Sequence, residues 1–401
     1  MKRFGPGLLV MAAFVGPGTV TTASKAGAHY GYTLMWALLF SIIATLVLQE
    51  MSSRLGLVSR KNLAQALRSS FNLPFFNIAA SIMVVLAIGF GNAAYESGNI
   101  AGAAMGLAAI SPLPNNVWAL VVGLSAFSLL AIGKYALIEK GLMLLVLIMS
   151  IVFIATAVMV QPDFSSLWRG LSQPSMPTGS TLTVIALIGT TVVPYNLFLH
   201  SSTVQEKWPA DMDVACALKE SRQDNAYAIG LGGLITIAIV TTAASAFYGS
   251  DSQFSASTIS QQLEPLLGSY AKYFFAIGLL AAGLTSAIAS PLAAAYAVSG
   301  AMGWPVELNN KRFKCIWALV LLSGTVAAAL GTSPISAIIF AQAANGFLLP
   351  VVAVFLLIVM NQKNLLGKYT NSPLANILGA IVVLTVSGLG LFKLATAFNI
   401  V

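Results

Sequence analysis

Apolar runs long enough to cross a bilayer follow one another along almost the whole chain, and the short gaps between them hold most of its charge. A helix needs about 20 apolar residues to span a membrane. Reading the runs by that criterion predicts eleven spans, at 5–30, 33–53, 75–107, 114–133, 136–160, 181–204, 225–249, 270–302, 313–331, 336–361 and 372–397. The runs lack period-two alternation, so helices are expected rather than a barrel. Only 8% of the 401 residues are charged, against about 25% in a soluble domain. The gaps at 161–180 and 205–224 are loop-sized, so residues 1–401 are expected to form a single transmembrane domain.

The formal net charge of +8 does not point to nucleic acid, which needs basic residues gathered on a solvated face. Here they lie in the gaps and report topology. With the N-terminus inside, 16 of the 20 Lys and Arg fall on the cytoplasmic side, and only Lys25, Arg169, Lys272 and Lys393 lie elsewhere. That bias predicts an N-terminus inside and, across an odd number of spans, a C-terminus outside. Lys2, Arg3 and the apolar Leu8–Val15 imitate a cleavable leader, but Pro and Gly interruptions argue for a retained span. Cys216 and Cys315 lack metal-ligand spacing and give no disulfide framework.

Two spans are broken in the middle. The first carries Gly16-Pro17-Gly18-Thr19, and the sixth carries Val193-Pro194-Tyr195-Asn196. Proline removes a backbone donor and clashes with the preceding turn. Pro194 follows Pro17 by 177 residues, a separation of five spans. Five is odd, so the second unit threads the membrane in the opposite sense. Interrupted segments at matching positions of two halves point to a transport site at the midplane, because unwound backbone at that depth must be satisfied by a cavity, water or an ion.

Polar residues inside the spans are few. Only one acid, Glu96, lies deep in a run, and an ionisable group there is a functional candidate that could carry a proton. Asn92, Glu96 and Asn99 follow at i, i+4 and i+7 and share a helix face. His200 lies just past the second break and reads equally as a relay or a core residue. Gln342 and Asn345 read as a polar cavity wall or as helix–helix hydrogen bonds. Gly98 and Gly102 read as a close-packing pair. No G-x-S-x-G, H-E-x-x-H or P-loop is present, so neither an enzyme nor a nucleotide-driven pump is expected, and no cofactor is implied.

These features resemble the NRAMP family of proton-coupled metal transporters over nearly the whole chain. The resemblance rests on Gly5-Pro6-Gly7 and the break at Gly16, on Gln49 and Arg54-Leu55-Gly56, on Pro194 with Asn196-Leu197-Phe198-Leu199-His200-Ser201-Ser202, and on Gln342 with Pro350. It implies a leucine-transporter-like fold of five-plus-five inverted repeats with about 11 transmembrane helices. The repeats would run over roughly 5–160 and 181–361, with an extra helix at 372–397. It also implies a secondary transporter of the inner membrane that moves a divalent cation by symport, with protons as the coupling ion. The implied substrate-binding positions are Ala13, Gly16, Thr19, Thr190, Val193 and Gln342, with Ala13 and Thr190 offering backbone carbonyls. The coupling positions are Glu96, Asn99, Tyr195 and His200, and the helix breaks are at Pro17, Gly18 and Pro194.

The departures fall on the metal ligands. The family's first-span Asp-Pro-Gly-Asn reads Gly16-Pro17-Gly18-Thr19, its sixth-span Met is Val193, the His after the proline is Tyr195, and the third-span acid pair is Glu96 with Asn99. A transition-metal site wants a carboxylate and soft or nitrogen donors, and this one has lost both its carboxylate and its sulfur. Four outcomes stay open: a hydrated or hard cation such as Mg²⁺ or Mn²⁺ with Glu96 nearby, a displaced site, a small organic solute, or an anion on the amides that open the outer half of the first span. Lys25 would favour the last.

Overall fold

The computed structural model describes residues 5–71, 74–132, 135–250, 254, 258–330 and 333–397. Lys2, Arg3 and Lys134, counted above for topology, lie outside these. The first run is two helices, α1 (Pro6–Phe14) and α2 (Pro17–Tyr30), which meet at 54°. Gly16 takes an extended backbone between them, and Pro17 opens α2 where a missing N–H is harmless. Then come α3 (Met35–Ser59) and the short α4 (Leu63–Leu67), started by a capping box in which Asn62 and Gln65 exchange hydrogen bonds of 2.8 and 2.9 Å.

The third run is one 35-residue span made of α5 (Pro74–Val84), a π-helical segment at Val85–Phe90, and α6 (Gly91–Ala108). After α7 (Asn115–Ile132) and α8 (Tyr135–Met159), the chain departs from the expected loop. Residues 161–180 hold a helix, α9 (Phe164–Ser172), bent 117° from the end of α8. Asp163 caps it by accepting from the Ser165 amide at 3.0 Å, and Phe164 and Trp168 are exposed. Nine residues cannot span a bilayer, but an amphipathic turn with an outward Trp fits its interface.

The sixth run is α10 (Thr181–Thr191) and α11 (Pro194–Lys207), and α12 (Val214–Phe247) follows. The seventh span therefore starts 11 residues before the expected 225, because the charged stretch Lys219–Asp224 continues the helix beyond the apolar run. The short α13 (Glu264–Leu267) leads into α14 (Ala271–Met302), α15 (Lys311–Ala329) and α16 (Pro334–Met360). The chain ends in α17 (Lys363–Leu366) and α18 (Pro373–Ala397). Among the described residues, nine helices can cross a membrane, or up to 11 when each bent pair is one span. The span from α10 to α11 is almost wholly enclosed by protein, whereas α5, α7 and α18 turn large apolar side chains outward.

Polar ties join the helix ends around Glu50 and around the start of α1. Glu50 pairs with Arg54 at 3.0 Å and with Arg222 at 2.9 Å. Arg54 also donates to the carbonyls of Tyr369 and Thr370 and to Asn371. Asp224 of α12 accepts from the amides of Gly5 (3.0 Å) and Gly7 (2.8 Å) at the start of α1. A carboxylate there satisfies orphan amides and complements the helix dipole. A Cβ on either glycine would meet that carboxylate. Asp224→Asn is expected to destabilise the protein by about 1–2 kcal/mol and to free α1. With Cys216 and Cys315 replaced by Ser, Leu8→Cys should then react faster with a maleimide than in the Asp224 background. Equal rates would show that the clamp does not hold α1.

Candidate functional site

The two breaks meet. The Thr19 hydroxyl donates to the Phe14 carbonyl across the first break, and so accepts from the Thr190 hydroxyl of α10 at 2.7 Å. Tyr195, the second residue of α11, donates to the Ala13 carbonyl at 3.1 Å, and Asn196 donates to the Val10 carbonyl at 3.2 Å. Ser286 of α14 reaches the same turn, 3.3 Å from the Ala13 carbonyl and 3.4 Å from that of Ala12. An unsatisfied carbonyl within a bilayer costs several kcal/mol. Three side chains on three helices, Thr19, Tyr195 and Ser286, therefore take up the carbonyls that the first break releases, while Asn196 adds a bond to a carbonyl still within α1.

The glycines explain the close approach. A Cβ on Gly16 would strike the Ser286 hydroxyl, and one on Gly18 would strike the Gln342 amide of α16. Ser286 thus stands where the family's Asp side chain would project, and Gln342 lies against the opposite side of the turn. Val193 is buried and adds only methyl groups. The lining is oxygen from Ala13, Thr19, Thr190, Ser286 and Gln342, whose Oε1 has no protein partner. It is the Thr190 hydroxyl that reaches across to Thr19. Among the described residues, no group of three or more His, Cys, Asp or Glu is arranged to hold a metal.

The other candidates are brought near but not into this lining. Gly102 of α6 packs on the Pro17 ring, and Glu96 precedes it by six residues, about 9 Å along the helix. Glu96 is fully buried and accepts from Asn99 at 3.1 Å, with the Ser290 hydroxyl of α14 also beside its carboxylate. Asn92 donates to the Ser290 carbonyl of α14 at 2.9 Å. His200 faces a different helix: its Nδ1 is 3.0 Å from Gln49 Oε1 of α3, and its Nε2 is unpartnered. Tyr95 and Tyr195 pack edge to face at 5.4 Å and link the lining to the residue next to Glu96.

Ser286 and Tyr95 escaped the sequence reading. Ser286 and Ser290 stand at i and i+4 in an Ala- and Gly-rich run, and that hydroxyl stripe was the available signal. Tyr95 gave none, since a lone aromatic in an apolar span is ordinary core.

A family model for natural resistance-associated macrophage protein-like (Nramp) proteins matches residues 7–396. A divalent metal cation transporter, MntH, of Deinococcus radiodurans is 28% identical over 97% of this chain and 89% of its own. The MntH of Yersinia enterocolitica is 27% identical over 99% and 95%. Among solved structures, a manganese transporter of Eremococcus coleocola superposes with a TM-score of 0.81 at 21% identity, covering 98% of this chain and 86% of that one. MhsT, solved with L-phenylalanine, gives 0.67 at 16% identity over 97% and 98%. The fold is thus the leucine-transporter-like arrangement of an integral membrane protein, and the chain belongs to the Nramp family.

Proposed function

We propose that this chain is a secondary transporter that moves a hard or partly hydrated divalent cation, Mg²⁺ or Mn²⁺, through the junction of its two broken helices. The observation that carries this reading is the lining itself. Carbonyl, hydroxyl and amide oxygens converge there. Oxygen donors suit hard cations, and a site without a carboxylate suits one that keeps part of its water. The same acceptor-rich turn disfavours an anionic solute. The curated relatives named as divalent metal cation transporters support the reading.

The repeats at 5–160 and 181–361 would rock against each other around Pro17 and Pro194, with 372–397 appended. The N-terminus lies on the cytoplasmic side of the inner membrane, as the positive charges require. Glu96, supported by Asn99, exchanges the coupling proton, and His200 with Gln49 forms a second polar station on the inner half of α11.

Uptake into proteoliposomes tests this with Mn²⁺, Mg²⁺ and a panel of organic solutes, with and without a proton gradient. Saturable uptake of one cation, competed by the other, is expected. Uptake of an organic solute with no cation flux would overturn the reading.

A further inference from the structure

A groove of about 500 Å³ opens on the surface of the bundle where α5 passes the C-terminal end of α14, the cytoplasmic end on the topology proposed above. Its walls are mostly aliphatic: Ile78 and Ile82 of α5, Leu86 of the π-helical segment and Met302 of α14 line it, all four exposed, with Asn77 and Ser81 beside them. One cation closes its end. Arg68, exposed just after α4, lays its guanidinium against Gly303 at the α14 terminus, where a side chain could not fit. A guanidinium carries five donors. Its backbone N–H donates to the Ala64 carbonyl, and among the described residues the guanidinium has neither a hydrogen bond nor an ion pair.

The neighbouring Trp304 carries Arg312 over its ring at 5.2 Å, a pairing typical of a membrane interface. Among the described residues neither arginine has an acidic partner, the ion pairs there being those of Glu50.

From this we infer that the groove holds one anionic phospholipid, its phosphate on Arg68 and an acyl chain along Ile78, Ile82 and Leu86. Two features select the occupant. The aliphatic walls need a hydrocarbon partner, which a free phosphate lacks. The arginine without an acidic partner needs an anion, which a zwitterionic lipid supplies only beside its own cation. Basic pockets between helices at the cytoplasmic side recognise anionic headgroups by this chemistry, and Arg meets phosphate bidentately.

Native mass spectrometry of the full-length protein tests the site, with phosphatidylglycerol, phosphatidylcholine or inorganic phosphate added in neutral detergent. The wild type is expected to retain phosphatidylglycerol in preference to phosphatidylcholine, and phosphate is expected not to displace it. Arg68→Gln should weaken phosphatidylglycerol retention about fivefold, the effect of one interfacial cation, and leave phosphatidylcholine unchanged. Ile82→Trp, which fills the groove and keeps the charge, should lower retention of both lipids. Wild-type retention in Arg68→Gln, or displacement of the lipid by phosphate, would overturn the assignment.

Discussion

Manganese binding is expected to rise roughly a hundredfold when Gly16→Asp and Val193→Met are combined with Ser286→Ala, and not when Ser286 is kept. A carboxylate about 4 Å from a cation is worth about 4 kcal/mol per unit charge at an effective dielectric constant near 20. After desolvation is deducted, about 3 kcal/mol, or two decades of affinity, is a sober figure. The thioether adds selectivity for softer ions. Ser286 decides the outcome because its hydroxyl fills the place of the first new atom at position 16. Overpacking a buried site costs about 1–3 kcal/mol, so Gly16→Asp alone should lower thermal stability without gaining manganese. Calorimetry and a melting curve on the four variants read both effects. Equal binding in Gly16→Asp with and without Ser286 would show that the serine does not occupy the ligand's place.

The second large effect concerns coupling. Glu96→Gln should abolish the response of cation uptake to an imposed pH gradient while leaving uptake driven by the cation gradient. The substitution is nearly isosteric, and this matters because the Gly324 backbone of α15 lies against the Glu96 side chain with no room for a Cβ of its own. The fold should therefore survive. The amide can still meet Asn99, but it can no longer take up and release a proton. A pH-sensitive dye inside the vesicles measures the co-moved proton directly. An unchanged proton signal in Glu96→Gln would remove this residue from the mechanism and leave His200 to be tested in the same way.

Much of this was legible in the sequence because a bilayer is an unforgiving solvent. Span positions follow from apolar length alone, and Pro17 and Pro194 mark the breaks because no other residue disrupts a helix so reliably. The departures arose where local and long-range rules compete. The seventh helix begins at Val214 because a charged segment continues a helix in water that hydropathy would end. Helix α9 was missed because nine amphipathic residues give no span signal. At the site, Gly16 and Thr19 announced the loss of ligands, but nothing local could show that Ser286, 270 residues away, fills the space. Tyr195 was expected only as a coupling residue, and its bond to Ala13 belongs to the lining. Such contacts belong to the packing of helices distant in sequence, and a single chain carries no mark of them.

The hydroxyls of Thr19, Tyr195 and Ser286 have one more consequence. A carrier whose unwound turn is completed only by its cargo strands bare carbonyls whenever it is empty, and is then confined to exchanging one ion for another. Here the turn is completed by the protein itself. On the proposed site, the unloaded form is expected to close and return across the membrane without a passenger, which is the step that net accumulation, as opposed to one-for-one swapping, demands. On that site the same bonds would be surrendered when cargo enters, so loading would be a trade of ligands that favours quick release over tight capture.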